Sequence, residues 1–245
     1  MPGILTAMSL RKDYFDLQWR FARHYAEAAH LPLDQAIARC TNLRRRMNLW
    51  GPAGASRWEA FLSTIRASGP DLPPGFHLYM AFQEGEPPPP RPRTFGCFSH
   101  DSPDPSGVLR IHFMPPPGID RSPLAFASMA DRMDELRALF RQVRQEHPHA
   151  RSVRGISWLY HLAAYRRLFP PQYGHSARPA DFPLHLTGSS TWGQVLDWRQ
   201  HVKPAMRDAV LSRMAEVDPQ APWKVFPCQP LVASCGIGHF HDWFA

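Results

Sequence analysis

The sequence is sparing with cysteine: four in 245 residues, at positions 40, 97, 228 and 235, with no CxxC pair among them. That excludes a small scaffold stapled by disulfides and makes reduced thiols the expected state. Long hydrophobic runs are missing as well, and no stretch approaches the roughly 20 apolar residues of a membrane span. The opening MPGILTAMSL run meets Arg11 and Lys12 too early for the apolar region of a signal peptide. A cytoplasmic protein with no membrane partner is therefore expected. Negative charge is short too, with 21 Asp and Glu against 28 Lys and Arg, a formal net charge of +7. Glycine-rich signatures are lacking: there is no G-x-G-x-x-G after a strand-like run, no G-x-x-x-x-G-K-S/T and no G-x-S-x-G. Dinucleotide, P-loop and serine-hydrolase readings lose their main support.

Apolar residues are plentiful. With 44% hydrophobic and 12% aromatic residues, the sequence can bury a sizeable core. Its length suits one domain over 1–245, with a helical part at 1–70 and an α/β part at 75–245. Leu17, Phe21 and Ala28 recur at helical spacing, and Ile37, Cys40, Leu43 and Met47 do so again after Pro32. A third helix is expected from Ser56, where Ser56-x-x-Glu59 reads as a capping box. Three strand-like runs follow: 76–82, 94–99 and 108–114. The first two flank Glu86-Pro-Pro-Pro-Pro-Arg-Pro92, which reads as an exposed polyproline spacer. The last two flank Asp101-Ser-Pro-Asp-Pro-Ser-Gly107, whose residues cap their own backbone and predict a hairpin.

An amphipathic helix comes next, with Met129, Met133, Leu136, Phe140 and Val143 on one face, stopped at His147-Pro148. Residues 152–157 read as a strand, 158–169 as a short helix, and 223–226 and 231–234 as the last strands. The fold class is thus α+β: N-terminal helices, then a mixed, mostly antiparallel sheet flanked by helices. Its core is expected to include Phe21, Leu43, Phe61, Ile111, Phe113, Leu136, Phe140, Val143, Ile156 and Trp158.

Thirteen histidines raise the question of a metal. The best group is Cys228, Cys235, His239 and His241, where the two histidines share a side if they lie on a strand, but the short CxxC loop of a zinc site is missing. No metal site is expected. Cys97 sits in an apolar strand setting and reads as a core thiol. Arg44, Arg45 and Arg46 form the one arginine run, but successive helical residues point in different directions. That run reads as a solvated helix end. It lacks the aromatic interleaving of a single-strand groove, so nucleic acid is not the expected partner.

The order of elements from Phe76 to Ser234 resembles the GCN5-related N-acyltransferase fold. The segment Met114-Pro-Pro-Pro-Gly-Ile-Asp-Arg-Ser-Pro-Leu124 matches the place where that family's loop and helix N-terminus hold the pyrophosphate of acyl-CoA. Arg121 stands for the arginine of the family's R-x-x-G-x-G/A pattern, while Ser122-Pro-Leu offers no glycine. The resemblance implies an N-acyltransferase acting on a small-molecule amine, with acyl-CoA as cosubstrate and no tightly bound cofactor. It implies Gly118, Arg121 and Ser122 as the binding residues. Ala164-Tyr-Arg-Arg-Leu-Phe169 is similar to a second family neighbourhood, which implies Tyr165 or Tyr160 as the acid for the departing thiolate; His112 on the third strand, an imidazole that titrates near neutral pH, is the candidate base. The pocket is expected where the third strand's end, the 115–123 loop and the 158–169 helix converge. The other reading of the sequence is a non-catalytic scaffold, in which the arginines meet an acidic protein partner.

Overall fold

The computed structural model describes residues 2–49, 51–68, 75–82, 93–116, 118–180 and 186–245, with side chains from Lys12 onward. In chain order the elements are α1 (Pro2–Ala29), α2 (Leu33–Cys40), α3 (Leu43–Arg46), α4 (Gly51–Ser68), α5 (Gly75–Phe82), β1 (Thr94–Phe95), β2 (Phe98–His100), β3 (Val108–Phe113), α6 (Met129–Glu146), β4 (Ser152–Ser157), α7 (Ala163–Arg166), α8 (Pro171–His175), β5 (Arg178–Pro179), α9 (Ser189–Trp192), α10 (Pro204–Leu211), β6 (Leu231–Gly236) and α11 (Ile237–Trp243). The class is α+β as expected. No helix among the described residues is long and apolar enough to cross a membrane. The chain divides into two compact units, Met1–Pro89 with Phe182–Gln229, and Pro90–Asp181 with Pro230–Ala245. Residues 182–229, which the sequence groups with the α/β part, lie in the helical unit.

The helical unit is built on aromatics. Phe21 is fully buried on α1 and packs against Trp192 and Phe226, at ring-centroid distances of 5.4 and 5.5 Å. Trp192 also donates its indole N–H to the Cys40 carbonyl at 3.0 Å, which anchors the second chain stretch to α2. The periodic run of residues 37–47 is split between α2 and α3, because Thr41 and Asn42 leave the helix. Gln18 holds that break by accepting from the Asn42 N–H at 2.8 Å. Two sequence expectations are corrected here. Helix α4 starts at Gly51 rather than Ser56, and Ser56 Oγ donates to the Pro52 carbonyl inside the first turns. The 76–82 run is α5, a helix burying Phe76, Leu78 and Tyr79. A short apolar run fits either a buried strand or a buried helix, and packing decides between them. The polyproline segment 86–92 lies outside the described residues.

The second unit holds a six-stranded sheet in the order β1-β2-β3-β4-β6-β5. All its pairings are antiparallel except β3 with β4. The 94–99 run is not one strand but a tight hairpin, turned at Gly96, whose φ of 53° suits glycine. A Cβ there would lie 1.9 Å from the Glu135 carboxylate, which accepts from the Cys97 N–H at 3.0 Å. The β2–β3 turn forms as predicted: Asp104 Oδ1 accepts from the Ser106 and Val108 N–H groups at 3.0 and 3.1 Å. Helix α6 buries Leu136, Leu139, Phe140 and Val143 against this sheet's core, one face at helical spacing. Asp131 in its first turn and Arg144 in its last complement the helix dipole.

Three further expectations change. Residues 158–169 form a 3-10 turn (Trp158–His161) followed by α7, and residues 222–225 form another 3-10 turn instead of a strand. Ile156 is 37% exposed, while Phe113 and Trp158 are only half-buried. The remaining seven of the expected core residues are buried.

Candidate active site at the start of helix α6

Strands β3 and β4 run parallel and pair at Val108–Ser152, Leu109–Val153 and Arg110–Arg154. The pairing stops there, although β3 continues to Phe113 and β4 to Ser157. Beyond Arg154, β4 is paired on its other flank alone, with β6 through Ile156–Val232 and Ser157–Leu231. The two strands therefore part at their C-terminal ends. Ile156, at this end of β4, is exposed. Met114, just past β3, and Phe126, just before α6, are also exposed, at 54% and 86%.

From β3 the chain runs through the 114–128 loop to α6. A 3-10 turn at Phe126–Ser128 leads directly into the helix, and Ser128 Oγ donates to the Ser122 carbonyl at 3.0 Å instead of capping the first turn. A cleft of about 490 Å³ opens there, lined by Gly118, Asp120, Arg121, Ser128, Asp131 and Arg132. Gly118 has a φ of 78° and nothing within 4 Å of its Cβ position, so the loop turns at an open point. The cleft carries two cations and two carboxylates. Arg132 is engaged by Glu135, so Arg121 is the cation available to an incoming anion.

The structure thus brings Gly118 and Arg121 into one cleft and places Ser122 beside it. It gathers Tyr160 and Tyr165 elsewhere. Both are buried, and Tyr160 Oη lies 2.6 Å from Tyr173 Oη. Gly155 on β4 makes this possible, because a Cβ there would sit 2.0 Å from Tyr160 Oη and 2.6 Å from Tyr173 Oη. Burial pushes all three phenols well above their ordinary range, so they stay protonated. His112 lies on β3, opposite Ser99 of β2, with Nε2 2.9 Å from the Asp101 carboxylate. The 158–169 segment does not line the cleft.

Cys97 is buried and its thiol is pushed up to about 11, first by burial and then by the Glu135 charge. It is a core thiol, a poor nucleophile at neutral pH. His239 and His241 lie on α11, where residues two apart face different sides, and Cys228 belongs to the other unit. Among the described residues no three His, Cys, Asp or Glu side chains converge to hold a metal. Sequence reasoning missed Ser128, Asp131 and Tyr173. The first two carry a readable signal, since they open the amphipathic helix. Tyr173 carries none, because only the fold shows that its hydroxyl meets that of Tyr160.

No protein-family model, curated protein or solved structure matches this chain.

Proposed function

We propose that the chain is an acyl-CoA-dependent N-acyltransferase acting on an amine, with the α6 cleft receiving the anionic part of the cosubstrate. The observation that carries this reading is the parting of β3 and β4 beyond Arg110 and Arg154, at the end of the sheet from which the loop to α6 departs. A thioester laid between parting strands meets unpaired backbone groups on both sides, which hold it as a further strand would. The start of an 18-residue helix and Arg121 supply the positive field for its phosphates.

In this reading His112, with Asp101 against its ring, accepts the proton of the attacking amine. Tyr160 and Tyr165 act as positioning residues that shape β4, since phenols held so firmly protonated are weak donors to a thiolate. The test is thiol release from acetyl-CoA over a panel of amines, with thermal shift by acyl-CoA as a second readout. We expect amine-dependent release, and Arg121→Ala raising KM for acyl-CoA about tenfold with an unchanged thermal midpoint. If no CoA ester shifts the midpoint and none is consumed, the reading fails, and a non-catalytic role with an acidic partner takes its place.

A further inference from the structure

Four large apolar side chains are exposed among the described residues. Three of them, Met114, Phe126 and Ile156, belong to the chain segments that flank the parting of β3 and β4, and the fourth, Trp243, ends α11. Exposed apolar residues scattered singly are ordinary, whereas several at one place mark a contact surface.

Their placement follows from strand geometry. Arg110 and Arg154 are register partners in parallel strands, so they look to the same face of the sheet, and residues at even steps from them share it. His112 and Met114 follow Arg110 on that face, and Ile156 follows Arg154. The alternate residues Leu109, Ile111 and Val153 point the other way, into the core that α6 covers. Met114 keeps the line of β3 because its N–H donates to the Cys97 carbonyl at 2.8 Å, one step beyond the pairing of Phe113 with Phe98. The parting strands therefore present Met114 on one side and Ile156 on the other, with His112 next to Met114 along β3. Phe126 stands on the α6 side, directly before Ala127 and Ser128, which line the anion cleft.

We propose that the acyl group transferred here is an apolar chain of several carbons, which leaves the gap between the strands and lies over Met114 and Ile156. This rests on the acyltransferase reading, in which the thioester lies between β3 and β4 and its phosphates lie at the start of α6. An acetyl group ends at the thioester and leaves both side chains in water. A longer chain covers them, and each apolar surface removed from water favours binding. The chain is assigned to this surface in preference to the amine, because the thioester is the part fixed between the strands and its acyl group is the first to pass Ile156. A carboxylated acyl group fits less well: Arg110 and Arg154, the cations of these two strands on this face, sit back where the strands are still paired, and the open end carries a thioether and a branched alkyl group.

Calorimetric titration of the full chain with CoA, acetyl-CoA, succinyl-CoA, octanoyl-CoA and free octanoate tests it. Octanoyl-CoA should bind at least about tenfold more tightly than acetyl-CoA, with succinyl-CoA no tighter than acetyl-CoA. Met114→Gln with Ile156→Thr should lower the octanoyl-to-acetyl affinity ratio about tenfold, and Trp243→Gln should leave it unchanged. The ratio is read within each variant, so any loss of folded protein cancels, and thermal midpoints close to the parent's are expected for substitutions at exposed positions. If CoA and all its esters bind alike, or succinyl-CoA binds tightest, the proposal falls while the acyltransferase reading stands. A preference for octanoyl-CoA that survives the double substitution, or octanoate alone binding as tightly as octanoyl-CoA, places the chain elsewhere and overturns the proposal too. If neither CoA nor any ester binds, the acyltransferase reading itself fails and takes the proposal with it.

Discussion

The two units solve the burial problem differently. The helical unit fills its core with Phe15, Phe21, Phe61, Trp192 and Phe226, and its buried Gln18 and Gln194 side chains bond to backbone, while that of Asn42 meets the Tyr14 hydroxyl. The α/β unit instead buries three phenols whose hydroxyls face each other, and two imidazoles, His100 and His147. The clefts contrast as well: Arg44 and Arg45 are among the described lining residues in the helical unit, whereas two arginines and two aspartates line the one at the start of α6. Apolar cores respond to lost volume, whereas polar cores respond to lost partners and to pH.

The largest effect expected from this contrast is in the helical unit. Trp192→Ala removes a fully buried indole, three aromatic contacts and the bond to the Cys40 carbonyl. A loss of about 4 kcal/mol is expected in urea unfolding. Should the loss stay near that of a surface substitution, residues 182–229 do not complete the helical core.

In the α/β unit the corresponding probe is Gly155→Ala, which drives a methyl group into the Tyr160 and Tyr173 hydroxyls. A cost of about 2 kcal/mol is expected, and Gly174→Ala, whose Cβ would find only Arg166 at 3.9 Å, should cost far less. Equal midpoints for the two variants would show that the tyrosine cluster yields easily.

The same contrast explains how much the sequence discloses. The amphipathic faces of α1 and α6 and the self-capping turn at Asp104 were readable, because period and turn chemistry are local properties. The helix at 75–82 was not, since an apolar run of eight residues is too short to show a period that separates helix from strand. Strand β5, two residues long, exists only because the edge of β6 offers it a partner. At the candidate site, Gly118, Arg121 and Ser122 were legible from chain neighbourhood alone. The retreat of Tyr160 and Tyr165 into the core depends on Gly155 and Tyr173, which sequence spacing does not connect to them. The arginine run shows the converse: successive helical residues do diverge, yet the α3–α4 turn gathers Arg44 and Arg45 into one cleft while Arg46 leaves it.

The smallest expected effect is the most selective, and it concerns acid. His100 is 3% exposed and donates Nδ1–H to the Asp101 carbonyl at 2.9 Å, so its buried Nε2 is the unprotonated nitrogen, and it has no hydrogen-bond partner among the described residues. His147, 9% exposed, stands edge-on to it at 5.7 Å between ring centroids, and its Nε2 is likewise buried without a partner there. Arg93, Glu146, Asp101 and His149 surround the pair. Burial, and after it the Arg93 charge, holds both imidazoles below their ordinary 6.5. Above that value both folded and unfolded chains carry the rings neutral, and nothing changes with pH. As pH falls below 6.5 the unfolded chain takes up protons that the folded one refuses, so stability declines until the folded rings titrate in turn. The described helical unit has no buried histidine to respond in this way. Hydrogen exchange, corrected for intrinsic rates, should therefore lose protection in β2 and the end of α6 between pH 7 and 5.5 while α1 and α4 hold theirs. His100→Asn with His147→Asn should flatten that difference. Equal loss in both units, or a difference that survives the double substitution, would assign the acid response to other groups.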